Sequence, residues 1–249
     1  MMKKIHKLII IYLFSLLLPL TGYDLALLIE QKNKPKDMKS TITMEIKNHK
    51  GKIRTSSIKS ISKDNNEKQI LWFLKPADDR GVAYLKIEHT DKDDEMRLWL
   101  PAFKRIRRIS SKKKTESFMG SDMSYEDMTN RDINEYNYKM IGEEIIENKN
   151  CYILESIPLG KSDYSKHISW VSKESLNPIK ENSYDRNNKH IKSKSFEYKR
   201  LGDYFLVTKL HVKNMQKQHE TTLKFSDIVV DSNVPDNVFQ EKNLKRLRY

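Results

Sequence analysis

Four groups of residues in this sequence are of types that could do chemistry, and their spacing decides whether they do. Asp91-Lys92-Asp93-Asp94-Glu95 resembles the opening of a calcium loop, where closely spaced carboxylates supply hard oxygen ligands. It lacks the central glycine and the closing glutamate, so a hairpin turn, where Asp is common, is the expected structure. Gly120-Ser121-Asp122 does not have the Gly-x-Ser-x-Gly spacing of a nucleophile elbow. The seven histidines include neither His-Glu-x-x-His nor a close pair, which argues against a metal site. Cys151 is the only cysteine and cannot form an internal disulfide. In the strand-like run 150–158 it is expected to be a packed side chain rather than a nucleophile. The strongest remaining signal is electrostatic. Between Lys104 and Lys114, seven of eleven residues are basic: Lys104, Arg105, Arg107, Arg108, Lys112, Lys113 and Lys114. Charges on an edge strand block aggregation. The same charges, facing outward, could dock the protein on anionic headgroups or an acidic partner, at about 1 kcal/mol per basic residue near a membrane surface. No catalytic residue, cofactor or metal is expected, and an enzyme is not.

The elements that position these residues are mostly strands. Apolar residues alternate with period two in 41–46, 69–74, 82–87, 96–100, 152–157, 167–171, 205–212 and 221–225. Pro76, Pro101, Pro158, Pro178 and Pro235 fall at segment ends, where proline is tolerated. Roughly ten strands with hairpin-length connections are expected. Helical periodicity is scarce: 24–31 reads as a first helix, 122–128 as a short second one with Asp122 as N-cap, and 235–244 as a final turn. The stretch 62–68 reads as a loop. Charged residues make up 33% of the chain and hydrophobic ones 37%, which suits a sheet with one wet face better than a doubly covered α/β core.

The N-terminus sets the compartment. Lys3, Lys4, His6 and Lys7 precede an apolar run from Leu8 to Leu20, which ends at Thr21 and Gly22. This is the layout of a signal peptide over residues 1–22, and the run is short for a membrane span. The alternative is an uncleaved anchor. Cleavage is expected between Gly22 and Ala26, leaving residues 23–249 as one exported, periplasmic domain without a lipid anchor. The net charge of +13 favours acidic partners or anionic lipid. Nucleic acid, the usual reading of such a charge, is not expected for an exported chain.

One family likeness emerges from the residues. Leu98-Trp99-Leu100-Pro101-Ala102-Phe103-Lys104-Arg105-Ile106-Arg107-Arg108-Ile109, followed by Ser117-Phe118-Met119-Gly120-Ser121-Asp122-Met123-Ser124-Tyr125-Glu126-Asp127, resembles a signature of the LolA-like outer-membrane lipoprotein-sorting proteins. Lys75-Pro76-Ala77-Asp78-Asp79-Arg80-Gly81 and Val234-Pro235-Asp236-Asn237-Val238-Phe239 are similar to flanking segments of that family. The motif belongs to a divergent branch. The resemblance implies a mainly β fold: a curved antiparallel sheet forming an incomplete half β-barrel, with a few lid helices over an apolar cavity. It also implies a non-enzymatic carrier of lipoprotein acyl chains or phospholipid, with an inner-membrane transporter and an outer-membrane acceptor as partners. Trp72, Leu74, Leu98, Leu100, Met119 and Tyr125 are the candidate cavity residues. Two other readings remain: a periplasmic module of the same fold sensing lipids or envelope stress, and a lipid hydrolase.

Overall fold

A computed structural model describes residues 19–110 and 113–246. Most of the expected signal peptide, and Lys112 of the basic run, lie outside the described residues. A single helix, α1 (Gly22–Glu30), precedes thirteen strands: β1 (Asp37–Lys47), β2 (Ile53–Lys63), β3 (Lys68–Lys75), β4 (Ala83–Ile87), β5 (Glu95–Leu100), β6 (Arg105–Ile109), β7 (Tyr136–Ile146), β8 (Lys149–Pro158), β9 (Tyr164–Ser172), β10 (Pro178–Asp185), β11 (His190–Leu201), β12 (Tyr204–Asn214) and β13 (His219–Val230). All join one antiparallel, curved and unclosed sheet in the order β6-β5-β4-β3-β2-β1-β13-β12-β11-β10-β9-β8-β7. The first and last strands meet in the middle, with Ile42 opposite Phe225 and Met44 opposite Leu223.

This order has a geometric consequence. β6 and β7 follow one another in sequence but occupy opposite edges of the sheet. The connection 110–135 must therefore cross a whole face, and we call that face inner. Its apolar half runs through Ile42, Met44, Ile58, Phe73, Tyr84, Leu98, Val212 and Leu223, all buried and packed against Phe118, Met123 and Tyr125 of the crossing segment. The other half, on β9–β11, buries His167, Ser169, Glu181, Ser183, Lys192 and Lys194. The outer face carries a second apolar cluster in which the C-terminal segment covers the sheet: Val234, Val238, Phe239 and Leu244 pack on Ile61, Ile70, Trp72 and Leu85. Asp37 anchors this cover by accepting from Ser232 N and Val234 N at 2.9 and 3.1 Å. Asn243 O accepts from Trp72 Nε1 at 3.1 Å.

The structure corrects several expectations. The strand count exceeds ten because β2, β10 and β11 bury polar residues, Ser56 and Ser60, Glu181 and Ser183, Lys192 and Lys194. Apolar alternation cannot mark such strands. The stretch 62–68 is loop only between Lys63 and Lys68. The helix expected over 122–128 is reduced to a 3₁₀ turn at Glu126–Met128, and Asp122 caps nothing. The first helix starts earlier than expected, because Thr21 caps it in a reciprocal capping box with Asp24. Thr21 is thus the N-cap and Gly22 the first residue of α1. A Cβ on Gly22 would lie 2.6 Å from the Lys139 backbone, so only glycine lets α1 sit this close to β7. The run 91–95 does form the β4–β5 connection, and Cys151 is buried within β8.

Because the C-terminal segment closes the outer face through side chains, Phe239→Ala is expected to lower stability by about 3–5 kcal/mol. Urea unfolding measures the loss, and a red shift of tryptophan emission reports exposure of Trp72.

Candidate functional site

The crossing segment is a plug built on local bonds. Ser117 and Ser124 form an isolated antiparallel bridge. Phe118 N donates to Met123 O at 2.7 Å across a tight turn. Gly120 takes a left-handed φ of 78° at that turn, which suits glycine. Among the described residues, no backbone-to-backbone hydrogen bond joins 116–130 to a strand of the sheet. The plug is held by side chains alone.

Three kinds of contact hold it. The first is apolar: the Phe118 ring lies 5.3 Å edge-on from Tyr84, 6.2 Å from Phe73 and 5.7 Å from Tyr125. The second is Asp122, whose backbone N donates to Thr221 Oγ1 at 2.9 Å. Its carboxylate accepts from the same hydroxyl and faces His219 Nδ1, both at 2.8 Å. The fully buried Lys86 adds a donor to Met128 O at 2.8 Å.

The third contact is ionic. The Asp127 side chain is 1% exposed. Its carboxylate accepts from Lys192 Nζ at 2.5 Å, Lys194 Nζ at 2.8 Å and Tyr164 OH at 3.0 Å. Ser124 supplies two more donors from the plug itself, N at 2.8 Å and Oγ at 2.9 Å. Lys194 also donates to Glu181 at 3.1 Å, and Arg131 grips Glu181 through two bonds of 2.6 and 2.9 Å. Burial opposes the charge on Asp127, yet Lys194 and Lys192 outweigh it and hold the carboxyl well below the usual carboxylate range. Glu181 is also held low: burial opposes its charge, and Arg131 and Lys194 prevail. His167 Nδ1 lies 2.9 Å from Ser183 Oγ and 3.2 Å from Arg131 Nη2. Burial, and then Arg131, push that imidazole down to about 3.

Two cavities adjoin the plug. The larger, about 1030 Å³, lies between an apolar wall of Ala26, Ile29, Leu154 and Val171 and a charged rim that includes Glu88, Asp91, Asp93 and Asp94. The smaller, about 230 Å³, has Met123, Phe196 and Leu210 at one side and Arg131, His167 and Lys194 at the other. Among the described residues, no group of three His, Cys, Asp or Glu is placed to hold a metal.

The residues singled out in the sequence divide among these features. Leu98, Leu100, Met119 and Tyr125 gather on the apolar inner half. Trp72 does not join them, because alternation sends it to the outer face beneath the C-terminal segment. Leu74 is half-buried at the register shift that ends β3. Of the motif, Phe118, Met119 and Tyr125 seal the apolar half. Ser121 accepts from Met123 N, Glu126 accepts from Ser162 Oγ, and Asp122 and Asp127 pin the plug. Arg105, Arg107 and Arg108 of the basic run lie on edge strand β6, with Lys104 just before it and Lys113 and Lys114 beyond it. Its charges do not all face solvent freely: Arg107 pairs with Glu116 of the plug and Lys114 with Asp94. Lys104, Arg105, Arg108 and Lys113 are exposed, and Arg105 lies over the exposed Phe103 ring. Arg131, Tyr164, His167, Glu181, Lys192 and Lys194 escaped the sequence reading. Their one local signal is charge at alternating positions, as in Lys192-Ser193-Lys194.

A family model whose description reads "Uncharacterized protein" matches residues 65–246. No curated protein matches the sequence. Among solved structures, a domain named for outer membrane lipoprotein sorting, from Vibrio parahaemolyticus, is 31% identical with a TM-score of 0.86, over 90% of this chain and 98% of that one. A DUF1329 family protein from Desulfovibrio piger is 32% identical with a TM-score of 0.84, over 90% and 97%. A LolA superfamily protein from Nitrosomonas europaea, 17% identical with a TM-score of 0.72 over 90% and 99%, shares the fold.

The His167 environment yields a pH signature. Between its ordinary value of 6.5 and about 3, the unfolded chain binds a proton here that the folded chain does not. Stability therefore falls as pH drops through that window, by up to about 1.4 kcal/mol per unit. Asp127 and Glu181, held low when folded, add their loss only below the ordinary carboxylate range near 4. His167→Gln keeps a polar side chain without titrating. Its urea-unfolding stability is expected to be flatter than wild type between pH 6.5 and 4.5, the two curves converging by at least about 1 kcal/mol.

Proposed function

This chain belongs to the LolA-like outer-membrane lipoprotein-sorting family, and we propose that it is an exported, periplasmic, non-enzymatic carrier that shields acyl chains of lipoproteins or lipids and moves them toward the outer membrane. One observation carries this reading. An apolar sheet face is covered by a plug that no strand pairing ties down. Acyl chains gain about 0.8 kcal/mol per buried CH₂, so a carrier must offer comparable apolar surface and still be able to release it. A cover held only by side chains can exchange with hydrocarbon, whereas a paired strand would have to break its ladder. The larger cavity, with its apolar wall at α1 and β8–β9, is an opening from which chains could advance under the plug. Leu98, Leu100, Met119 and Tyr125 would then contact hydrocarbon, and Leu74 would lie near its end.

The exposed charges of the β6 edge support a route by which such a carrier meets membranes. Lys104, Arg105, Arg108 and Lys113 are exposed basic residues along or just beyond the β6 edge, and the Arg105 guanidinium lies 5.3 Å from the ring of the exposed Phe103. We assign these edge charges to contact with anionic headgroups or with an acidic surface of the inner-membrane transporter or outer-membrane acceptor.

Two experiments test the proposal. Protein purified gently from the envelope is expected to retain lipid by native mass spectrometry and to move a fluorescent acyl probe between vesicles. Leu210→Trp, which narrows the smaller cavity, is expected to cut uptake at least about tenfold while circular dichroism stays unchanged. Lipid binding without transfer would favour the sensor, and turnover of lipid would favour the hydrolase. In the second, Lys104→Glu/Arg105→Glu/Arg108→Glu is expected to abolish cosedimentation with phosphatidylglycerol vesicles at about 0.1 M salt, where the Debye length is about 10 Å. The unfolding midpoint should hold, because exposed charges contribute little. Aggregation of this variant would instead make the charges guardians of the sheet edge.

A further inference from the structure

The ionic half of the inner face has a property that the apolar half does not: its charges are shared unequally between plug and sheet. Asp127 and Arg131 come from the crossing segment, whereas Lys192, Lys194, Glu181 and Tyr164 belong to strands. Three of the five donors around the Asp127 carboxylate, Lys192 Nζ, Lys194 Nζ and Tyr164 OH, therefore stay with the sheet when the plug leaves. Two ammonium groups would remain with Glu181 as their one strand-borne carboxylate in the network, so at least one positive charge would lack a partner. Leaving a buried charge unpaired is strongly unfavourable. Opening is thus disfavoured unless another anion takes the vacated place.

From this geometry we infer that Lys192, Lys194 and Tyr164 form a latent site for the anionic head of an amphiphile, a carboxylate or a phosphate, and that the plug's Asp127 occupies it as an internal stand-in for that head. The inference rests on the carrier reading and names its ligand class. The surroundings fit an amphiphile rather than a free ion. The adjoining cavity of about 230 Å³ sets Met123, Phe196 and Leu210 against the polar cluster, so a head at the lysines would place its chain among apolar side chains. Phe196 and Leu210 are cross-strand partners, and Leu210 is in turn opposite Leu223 of the apolar half. An acyl chain leaving the lysines along this row would pass directly onto the covered apolar face. The ligand then replaces the plug part for part: hydrocarbon for Phe118 and Tyr125, and anion for Asp127. Opening and loading become one exchange, and a neutral amphiphile completes only half of it.

The test compares affinities for oleate and for methyl oleate, which share a chain and differ in head charge, using the full exported protein. A second pair, lysophosphatidylglycerol and lysophosphatidylcholine, separates a phosphate head from a carboxylate. Wild type is expected to prefer the anionic member of at least one pair by tenfold or more, and the pair that shows the preference identifies the head. Asp127→Asn removes the stand-in and should strengthen anionic binding while preserving the preference. Lys192→Gln/Lys194→Gln/Asp127→Asn removes the charges together, so the core is not left with an isolated ion, and should bring both ratios near one. Circular dichroism and unfolding midpoints check that each variant folds. Equal affinities for both members of both pairs in wild type would overturn the site but leave the carrier reading standing. A wild-type preference that survives in the triple variant would place the head elsewhere and also overturn it. No binding of any probe by wild type and Asp127→Asn would overturn the carrier reading itself.

Discussion

The structure depends on one constraint of connectivity. Strands consecutive in sequence, β6 and β7, occupy opposite edges of an open sheet. The chain between them has to traverse the inner face, and whatever sequence it carries becomes the contents of that face. This explains why the motif residues singled out in the sequence, Phe118 to Asp127, form no regular element of any length. Their task is to fill and pin, which requires a particular side chain at each point along an irregular path. It also explains why the sheet need not close. The crossing segment and α1 cover the inner side and the C-terminal segment covers the outer side, so the apolar surface of both faces is buried without a complete barrel.

The two covers differ in how they are attached. The outer one follows directly from β13, is tied at its root by Asp37, and packs on a continuous apolar patch around Trp72. Among its described residues none is both charged and buried; the one buried carboxylate at its root, Asp37, belongs to β1 and accepts from its backbone. The inner one combines apolar packing at Phe118 and Tyr125 with ion pairs at Asp127 and Arg131. Buried ion pairs are weak sources of net stability, because desolvation consumes most of the attraction, but breaking one by removing a partner is costly. Such pairs do little to favour the closed state over an open one in which every charge finds a partner. They strongly disfavour a half-open state in which some do not.

Legibility from sequence followed the same division. Where inward positions are apolar, as in β3, β4, β5 and β13, period-two alternation revealed the strands. The β4–β5 turn, the first helix and the basic edge were legible because turn chemistry, helical spacing and charge density are local signals. The motif 117–127 pointed to a family and a half-barrel. The ionic network was not legible, because its members lie in four segments between residues 127 and 194 and meet only through strand pairing: Glu181 opposite Ser169 and Lys194, and Ser183 opposite His167 and Lys192. Polar residues at inward positions hid those strands and hid the site with them. Trp72 misled for a related reason. Alternation says that Trp72 and Phe73 face opposite ways, but not which way is inner. Here both faces are covered, so burial alone did not decide.

A carrier needs a closed state that is unique and yet close in free energy to the loaded one. Apolar packing alone gives little uniqueness, since hydrocarbon surfaces tolerate sliding and repacking. Ionic pins alone would give register, but would bar the lipid chain unless something neutralised them. The two halves of this inner face divide these requirements. Phe118, Met119 and Tyr125 supply surface that an acyl chain can replace at similar free energy, because both are hydrocarbon removed from water. Asp122 and Asp127 supply register, the first against Thr221 and His219, the second against Lys192, Lys194 and Tyr164. The pins lie at different distances from the solvent. His219 is about a quarter exposed, at 24%, whereas the Lys194 side chain is 8% exposed. Water can re-solvate the Asp122 pair when it parts, but not the Asp127 cluster without larger movement. Under the proposed exchange, the Asp127 end of the plug is the side that yields to a replacement anion.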